Sequence, residues 1–316
     1  MHANIADELT KPVMTQPTGN QKTFLVTGAS TGIGEATAIA LAQMGFRVFS
    51  GVRNAADAER VGRQSPNIMP IQLDVTRSDE IADAVRAVGQ AVGEQGLGGL
   101  VNNAGIVVAG PLEVLPIDTL RGQFEVNVFG LMAVTQAFLP LLRKSQGRIV
   151  NVSSVNGRAA VPYLGPYCAS KHALEALNTA MRTELRAWNI HVALIEPGST
   201  ATPIWEKSLA ASLALAAECD VAQYELYEAD ILAMREASRL LEESALGVET
   251  VVKAIVHALT SARPRARYPI GVKANLMLRA IKWIPDRLWD QIVQRALRLP
   301  STKAVPVDGD VVGSRQ

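Results

Sequence analysis

Between residues 28 and 34 the chain reads Gly-Ala-Ser-Thr-Gly-Ile-Gly, and its neighbours fix what kind of corner this must be. Ahead of it, residues 23–27 (TFLVT) form a short apolar run with the length and β-branched content of a buried strand. Behind it, apolar residues recur at helical spacing from Ile33 to Met44, and Gly45 stops the run. Glycines at a strand-to-helix corner permit a sharp turn and let backbone N–H groups come close to an anion. The helix start adds the positive end of its dipole. The spacing G-x-x-x-G-x-G is a variant of the dinucleotide fingerprint G-x-G-x-x-G. Glycine-rich turns are common, so the strand and helix around this one carry the inference to a pyrophosphate.

The same corner opens an alternation. Arg47–Val52, 68–75, 100–102, Arg148–Val152 and 191–195 read as strands, while helical stretches start near Asp79, run from 118 to 144 and cover 169–188. Pro140 is expected to bend or cap the long one. Strands separated by helices imply right-handed crossovers and an α/β fold: a doubly wound parallel sheet with helices on both faces. Ligands of such sheets bind beyond the carboxyl ends of the strands. After Gly198 the alternation stops. Residues 203–246 are rich in Ala, Leu and Glu and carry no strand signal, so a helical insertion is expected there, either a lid over a substrate or a packing element. A helix over 248–259 and a short strand over 268–270 close the body. The expected organisation is a disordered start (1–21), one domain (22–272) and a C-terminal helical extension with a polar end (273–316).

Composition excludes several classes. Hydrophobic residues make up 48% and charged residues 19%, the balance of a chain that buries a core, and a net charge of +1 gives no field to recruit nucleic acid. Cys168 and Cys219 offer neither a disulfide framework nor zinc spacing, which fits a reducing, cytoplasmic setting without a metal. No apolar stretch near the start has signal-peptide character, and no run of 18 or more mainly apolar residues is evident, so a spanning helix is not expected.

Polar residues at strand ends supply the chemistry. Tyr167 and Lys171 stand four apart at the start of a helical stretch and share a face. A phenol titrates near 10, and a neighbouring ammonium favours the phenolate, which makes an acid–base at neutral pH. Ser154 follows a strand, thirteen residues before Tyr167, where its hydroxyl can bond a substrate oxygen. Asn127 falls inside the long helix, a poor place for a short polar side chain unless something binds it. Taken singly, a Tyr/Lys pair at this spacing is an ordinary solvated face, and Ser153-Ser154 is an ordinary strand end. At the end of the second strand an acid would favour NAD, but the sequence is Phe49-Ser50-Gly51-Val52-Arg53-Asn54. Arg53 is either a surface arginine or a planar partner for a 2′-phosphate.

Taken together, TGASTGIG (27–34), LDV (73–75), NNAG (102–105), Asn127, NVSS (151–154), YCASK (167–171) and EPGSTAT (196–202) resemble the short-chain dehydrogenase/reductase family, in order and spacing, over residues 22–272. The resemblance implies a Rossmann-type sheet and hydride transfer between an alcohol or ketone and a nicotinamide cofactor. It implies Tyr167 as general acid/base, with Lys171 lowering its pKa and holding the nicotinamide ribose. Ser154 would polarise the carbonyl, and Asn127 would fix a water that relays protons through Lys171. The cofactor would lie along Gly28, Ser30, Thr31, Ile33 and Gly34, then Arg53, Asp74 and Val75 at the adenosine end. Asn103, Ala104 and Gly105 would meet the ribose region, and Pro197, Gly198, Thr200 and Thr202 the nicotinamide and phosphates. Within the family the chain is more similar to retinol, 17β-hydroxysteroid and 3-hydroxybutyrate dehydrogenases, through PLEVLP (111–116), FEVNVFG (124–130), AFLPLLR (137–143), YCASKHALEAL (167–177) and ARYPIG (266–271). Many retinol-type members are NAD-linked; Arg53 resembles the NADP-preferring steroid type, so NADP(H) is expected over NAD(H).

The substrate is expected to be a small lipophilic alcohol or ketone. Pro162, Tyr163 and Leu164 precede Tyr167, and the insertion adds Ile204, Trp205, Leu209 and Leu213, with only Lys207 to meet a carboxylate. An NAD-linked dehydrogenase of short hydroxy acids and a non-catalytic, cofactor-sensing regulator are the alternatives; the intact Asn127, Ser154, Tyr167 and Lys171 set speaks against the second. A homo-oligomer, dimer or tetramer, is expected. Residues 263–298 hold nine Lys or Arg against Asp286 and Asp290, interleaved with Leu276, Leu278, Ile281, Trp283, Leu288, Trp289, Ile292 and Val293. Such a segment either packs on the body or makes a peripheral membrane contact.

Overall fold

A computed structural model of the protein describes residues 22–204, 208, 212, 224–243 and 245–299. The expectations for residues 1–21, for Trp205, Lys207, Leu209, Leu213 and Cys219, and for the polar end after Leu299 lie outside the described residues.

Seven parallel strands form one sheet in the order β3-β2-β1-β4-β5-β6-β7. They are β1 (Thr23–Val26), β2 (Arg47–Val52), β3 (Ile68–Gln72), β4 (Gly99–Asn102), β5 (Arg148–Val152), β6 (His191–Pro197) and β7 (Arg267–Ile270). The chain winds outward from β1 through β2 to β3, then crosses back to β4 and winds the other way. The order therefore reverses between β1 and β4, whose register pairs Phe24 with Gly99 and Val26 with Val101. A crevice opens where the two windings part, and that is where doubly wound sheets take their ligands.

Both faces are covered, which is why these strands read as apolar runs rather than alternating ones. On one face Phe24, Val26, Val48, Val101 and Val150 meet Ala38 and Leu41 of α1 (Gly32–Gln43) and Ile255 of α8 (Val248–Thr260). On the other, Leu25, Phe49, Leu100, Ile149 and Val192 meet Val88 of α3 (Ser78–Val92), Phe138 of α5 (Leu131–Ser145) and Met181 of α6 (Gly165–Glu184). Phe24, Leu25 and Val26 thus divide their side chains between two layers by the two-residue period of a strand. Each fully buried side chain of this kind contributes about 1.5–3 kcal/mol.

The structure departs from the sequence reading in several places. An unexpected helix, α2 (Ala55–Gly62), follows β2; it buries only Val61 fully, with Ala58 beside it, too short an apolar stripe to announce a helix, and it starts because Asn54 caps it by accepting from the Asp57 N–H at 2.8 Å. The third strand stops at Gln72 rather than 75. The long helix is interrupted: α4 (Ile117–Phe124) passes into a π turn at Glu125–Gly130 before α5, and Pro140 neither ends α5 nor caps it. That run, 117–145, is also long and apolar enough to cross a membrane, against the expectation that no such stretch exists. Its Val134, Phe138 and Leu142 are nonetheless fully buried in the core of the fold.

Beyond β6, Thr200 bridges to Leu246 in parallel, and α7 (Glu228–Glu243) belongs to the insertion. The C-terminal extension forms α9 (Val272–Ala280) and α10 (Asp286–Ala296). It docks on the body through the buried Leu278 and Val293, and the Trp289 indole donates to the Ala160 carbonyl at 3.3 Å.

Candidate active site

The glycine corner after β1 has the shape its sequence implies. Gly28 and Gly32 both adopt φ +60°, open to glycine at no cost. A Cβ on Gly28 would lie 2.8 Å from the Ala104 Cα, and one on Gly34 would lie 2.3 Å from the Gly28 carbonyl oxygen. Bare backbone is therefore required at both places. The turn is braced from β4: the Asn103 amide donates to the Thr27 and Gly28 carbonyls, each at 3.0 Å, and the Thr27 hydroxyl accepts the Asn103 and Ala104 N–H groups, each at 3.0 Å. Asn103, expected to face the ribose region, spends both amide protons on the turn. Thr31, the N-cap of α1, makes no side-chain cap bond, so the first N–H groups of the helix are left for an anion. A dinucleotide pyrophosphate fits this cradle.

At the adenosine end, Arg53 is exposed and makes no ion pair among the described residues. Its backbone carbonyl accepts from Gln72 at 2.8 Å, which fixes where the side chain leaves the sheet. Asp74 Oδ1 accepts from the Thr76 N–H at 2.9 Å and the Thr76 hydroxyl at 2.7 Å. Although partial burial opposes ionisation, these bonds and the nearby Arg53 hold its carboxyl below the usual range. Val75 is buried against Gly130 of the π turn. Asp57, the first acid after β2, is occupied at the start of α2 by Asn54 and Arg60. Arg60 is the residue sequence reasoning missed: its guanidinium bonds the Ser30 carbonyl and Glu35, so a second cation borders the glycine turn. Its only signal was i,i+3 spacing from Asp57, in a helix that was itself not foreseen.

Ser154, Tyr167 and Lys171 line one cleft together with Ile33, Asn103, Gly105, Ile106, Pro197, Gly198, Thr200, Thr202 and Ile204. Ser154 follows β5 and caps a short 3-10 turn (Val155–Gly157), accepting from the Asn156 N–H at 3.1 Å. Tyr167 is buried in the first turn of α6, and burial pushes its phenol up to about 12, with a hydrogen bond to Ser154 acting the other way. Lys171, one turn on, is also buried; burial pulls its ammonium down to about 8, and the Glu175 carboxylate opposes that. Lys171 donates to the Val152 carbonyl at 2.8 Å, a contact absent from the sequence expectation. The Thr202 side chain packs over Gly32, so the segment after β6 closes against the glycine turn.

Asn127 sits in the π turn, where helices commonly make room for function. Its amide donates to the Ile106 carbonyl at 3.0 Å and the Ser170 hydroxyl at 3.1 Å, and its oxygen accepts the Ile106 N–H at 2.9 Å. Ser170 in turn donates to the Tyr167 carbonyl at 2.8 Å. Expected to hold a water for Lys171, Asn127 spends its amide protons on bracing the chain after β4 and the helix that carries Tyr167.

Above the cleft, Tyr163 adopts φ +64° and donates to Asp230 of α7, while Tyr227 donates to Glu113. The two phenol rings meet edge to face at 6.4 Å. The described part of the insertion is thus latched to the segment that leads into Tyr167. A separate open depression, lined by Leu120, Arg121, Phe124, Glu125 and Phe129, has none of these convergent polar groups.

Residues 22–213 match the family described as short chain dehydrogenase. An NADPH-dependent 3-dehydrocapnine reductase from Ornithobacterium rhinotracheale is 36% identical over 280 residues, covering 87% of this chain and 96% of the relative. The 17-beta-hydroxysteroid dehydrogenase type 6 of Bos taurus is 35% identical over 288 residues, 89% of this chain and 90% of its own length. A crystal structure of a short chain dehydrogenase from Burkholderia cenocepacia in complex with NADP superposes with a TM-score of 0.66 at 25% identity, over 89% of this chain and 99% of that one.

Proposed function

The chain belongs to the short-chain dehydrogenase/reductase family, and on that footing we propose that this oxidoreductase interconverts a lipophilic secondary alcohol and its ketone, steroid-like or retinoid-like, with NADP(H) preferred over NAD(H). The observation that carries the reading is the convergence of Ser154, Tyr167 and Lys171 on one cleft beside the glycine corner. When bound, the nicotinamide group supplies or takes up hydride. The chain's own residues handle the proton. In the reducing direction Tyr167, kept protonated by burial, donates its phenolic proton to the alkoxide that develops on the carbonyl oxygen. Ser154 donates to the same oxygen and withdraws charge from the carbon. Lys171 stabilises the phenolate left on Tyr167, and when the alcohol is oxidised that phenolate takes the hydroxyl proton back. Asn127 positions Tyr167 through Ser170.

Support for NADP(H) comes from Arg53, from Arg60 at the border of the glycine turn, and from the names of the reductase relative and the NADP complex. Support for a lipophilic substrate comes from Ile106 and Ile204 in the cleft wall and from the steroid dehydrogenase relative. Steroids, retinoids, short hydroxy acids and aromatic alcohols, each assayed with NADP(H) and NAD(H), test both halves. Turnover of 3-hydroxybutyrate alone, or of any substrate with NAD(H) alone, overturns the corresponding half.

We also propose that the extension meets an anionic membrane surface. While Leu278 and Val293 face the body, Trp283 is 86% and Leu276 70% exposed, and Leu288 and Ile292 stand one turn apart on α10. Exposed Arg279, Arg287, Arg295 and Arg298 outnumber Asp286 and Asp290 around them. Cations beside exposed tryptophan and leucine complement anionic lipid headgroups over an acyl boundary.

A further inference from the structure

Behind Ser154 runs a chain of charged groups that the proton chemistry does not use. Arg158 lies in the segment between Ser154 and Tyr167. Its guanidinium donates to the Leu278 carbonyl of α9 at 3.0 Å and to Glu196 at 3.3 Å. Glu196, on β6, is 0% exposed and also accepts from Arg267 of β7 at 3.1 Å. Arg267 reaches on to Glu175, and Glu175 accepts the Ser153 hydroxyl at 2.8 Å. Glu175 stands one turn beyond Lys171 on α6, and Ser153 is bonded to Ser154. The chain therefore starts on the extension and ends beside Ser154 and Lys171.

A carboxylate with no exposure is costly unless it is paired, and Glu196 is paired by both Arg158 and Arg267, which ties the segment after β5 to β6 and β7. Here the fixed object is the segment 153–164. Gly157 in its first turn lies so close that a Cβ there would be 2.9 Å from the Ser153 hydroxyl and 3.0 Å from the Glu175 carboxylate oxygen. Trp289 of the extension grips the same segment at the Ala160 carbonyl.

We propose that Arg158, Glu175, Glu196 and Arg267 are positioning residues that hold Ser154 in register with Tyr167 and Lys171, and that the C-terminal extension completes the active site by giving Arg158 the Leu278 carbonyl. This rests on the catalytic reading of Ser154 and Tyr167. The extension is then a working part of the site, whichever surface its outer side meets.

The test is steady-state turnover by the full-length protein of the best alcohol from the panel, estradiol being the first probe, beside fluorescence titration of NADPH. Arg158→Met is expected to lower kcat about 10- to 100-fold, the cost of a small misplacement of a reacting group. It should leave KM and the NADPH Kd within about twofold. Arg158→Lys, which keeps the charge and a donor, should recover most of the loss. Leu278→Ala, which loosens the anchoring carbonyl, should also lower kcat, and its effect should be less than additive with Arg158→Met because both break one chain. Glu175→Gln keeps volume and the acceptor for Ser153 but loses the ion pair; it should lower kcat with KM unchanged, and it carries the test if Arg158→Met does not fold.

Tyr167→Phe separates the two readings. If that variant keeps its turnover, the catalytic reading fails and takes the positioning role with it. If it is inactive while Arg158→Met and Glu175→Gln turn over within about twofold of the parent, the positioning proposal alone is overturned. A joint fall in melting temperature, NADPH affinity and kcat that Arg158→Lys does not repair would also overturn it, since the network would then be purely structural.

Discussion

The Lys171 ammonium lies 5.8 Å from the centre of the Tyr167 ring and gives a hydrogen bond to the Val152 carbonyl. Burial acts on the two groups in opposite directions, drawing the lysine down to about 8 and the phenol up to about 12. Both shifts favour the neutral forms, so Tyr167 stays protonated at neutral pH and Lys171 carries its charge there at a cost. Two measurable consequences follow from that placement, one in stability and one in rate.

Lys171 is a cation whose folded pKa lies below its unfolded value, so folding is penalised at every pH where the unfolded chain carries that charge. The penalty is complete below pH 8 and fades as the pH rises toward the unfolded value of 10.5. Lys171→Met, which keeps the stem and removes the charge, is therefore expected to melt higher than the parent at pH 7. The difference should shrink between pH 8 and 10. Melting curves across that range check it; a difference constant with pH would mean that the charge is not what burial penalises.

Tyr167→Phe removes the proton donor and little else. Turnover in either direction is expected to fall by about 100- to 10,000-fold, the usual worth of a positioned acid–base, with NADPH binding nearly unchanged. Retention of more than about a few per cent of kcat would remove Tyr167 from its role.

Arg53→Asp should reverse cofactor preference. The new carboxylate repels a 2′-phosphate and accepts from a free 2′-hydroxyl, an effect of about 1.5–3 kcal/mol for a charged hydrogen bond. That corresponds to roughly 10- to 150-fold in the ratio of kcat/KM for NADPH and NADH. An unchanged kcat/KM with NADPH would leave the phosphate to another group, with Arg60 at the glycine turn the next to test.

Two glycine-to-alanine changes should act with opposite signs. Gly34→Ala drives a methyl into the Gly28 carbonyl and the Asn103 amide, so both melting temperature and NADPH affinity should drop. Gly122 lies in α4 with nothing within 4 Å of its missing Cβ. Gly122→Ala should stabilise by about 0.5–1 kcal/mol through helix propensity, with kinetics untouched. A Gly34→Ala protein that binds NADPH normally would show that the corner can open.

The membrane contact is tested at its most exposed residue. Trp283→Ala should leave melting temperature and turnover of soluble substrates as they were, yet weaken binding to phosphatidylserine-containing liposomes. Added salt should weaken the parent's binding similarly, because attraction to headgroups is screened over about 8 Å at 0.15 M. If full-length protein ignores such liposomes at low salt, the outer face of the extension has some other neighbour.

Local patterns were legible in the sequence and long-range pairings were not. Arg47–Val52 emerged residue for residue as β2, a short stretch set between Gly45 and the Asn54 cap in which Val48, Phe49 and Val52 are buried. The Tyr167–Lys171 pair and the glycine corner were legible for the same reason, each being complete within a few residues. The π turn at Glu125–Gly130 was invisible because one extra residue per turn leaves the apolar pattern of a long helix nearly unchanged. Asn127 gave the only hint of it. The network behind Ser154 left no trace, since Arg267 and Glu175 are 92 residues apart and look like ordinary charges until the sheet brings them together. The sequence of the extension favoured a packed element slightly over a surface one, and the structure finds it packed on one side and exposed on the other.

The bracing of the glycine corner by Asn103 also bears on when the protein can first work during its own synthesis. Phe24 pairs with Gly99, so the central strand has no partner on that side until some 75 residues more have been made. Closing so long a loop costs entropy before any contact repays it, and such sheets assemble slowly. A nascent chain that ends short of Asn103 carries the glycine sequence in full, yet lacks the amide that holds Thr27 and Gly28 in place. The dinucleotide cradle is thus legible in the first 34 residues and is built only after the 103rd.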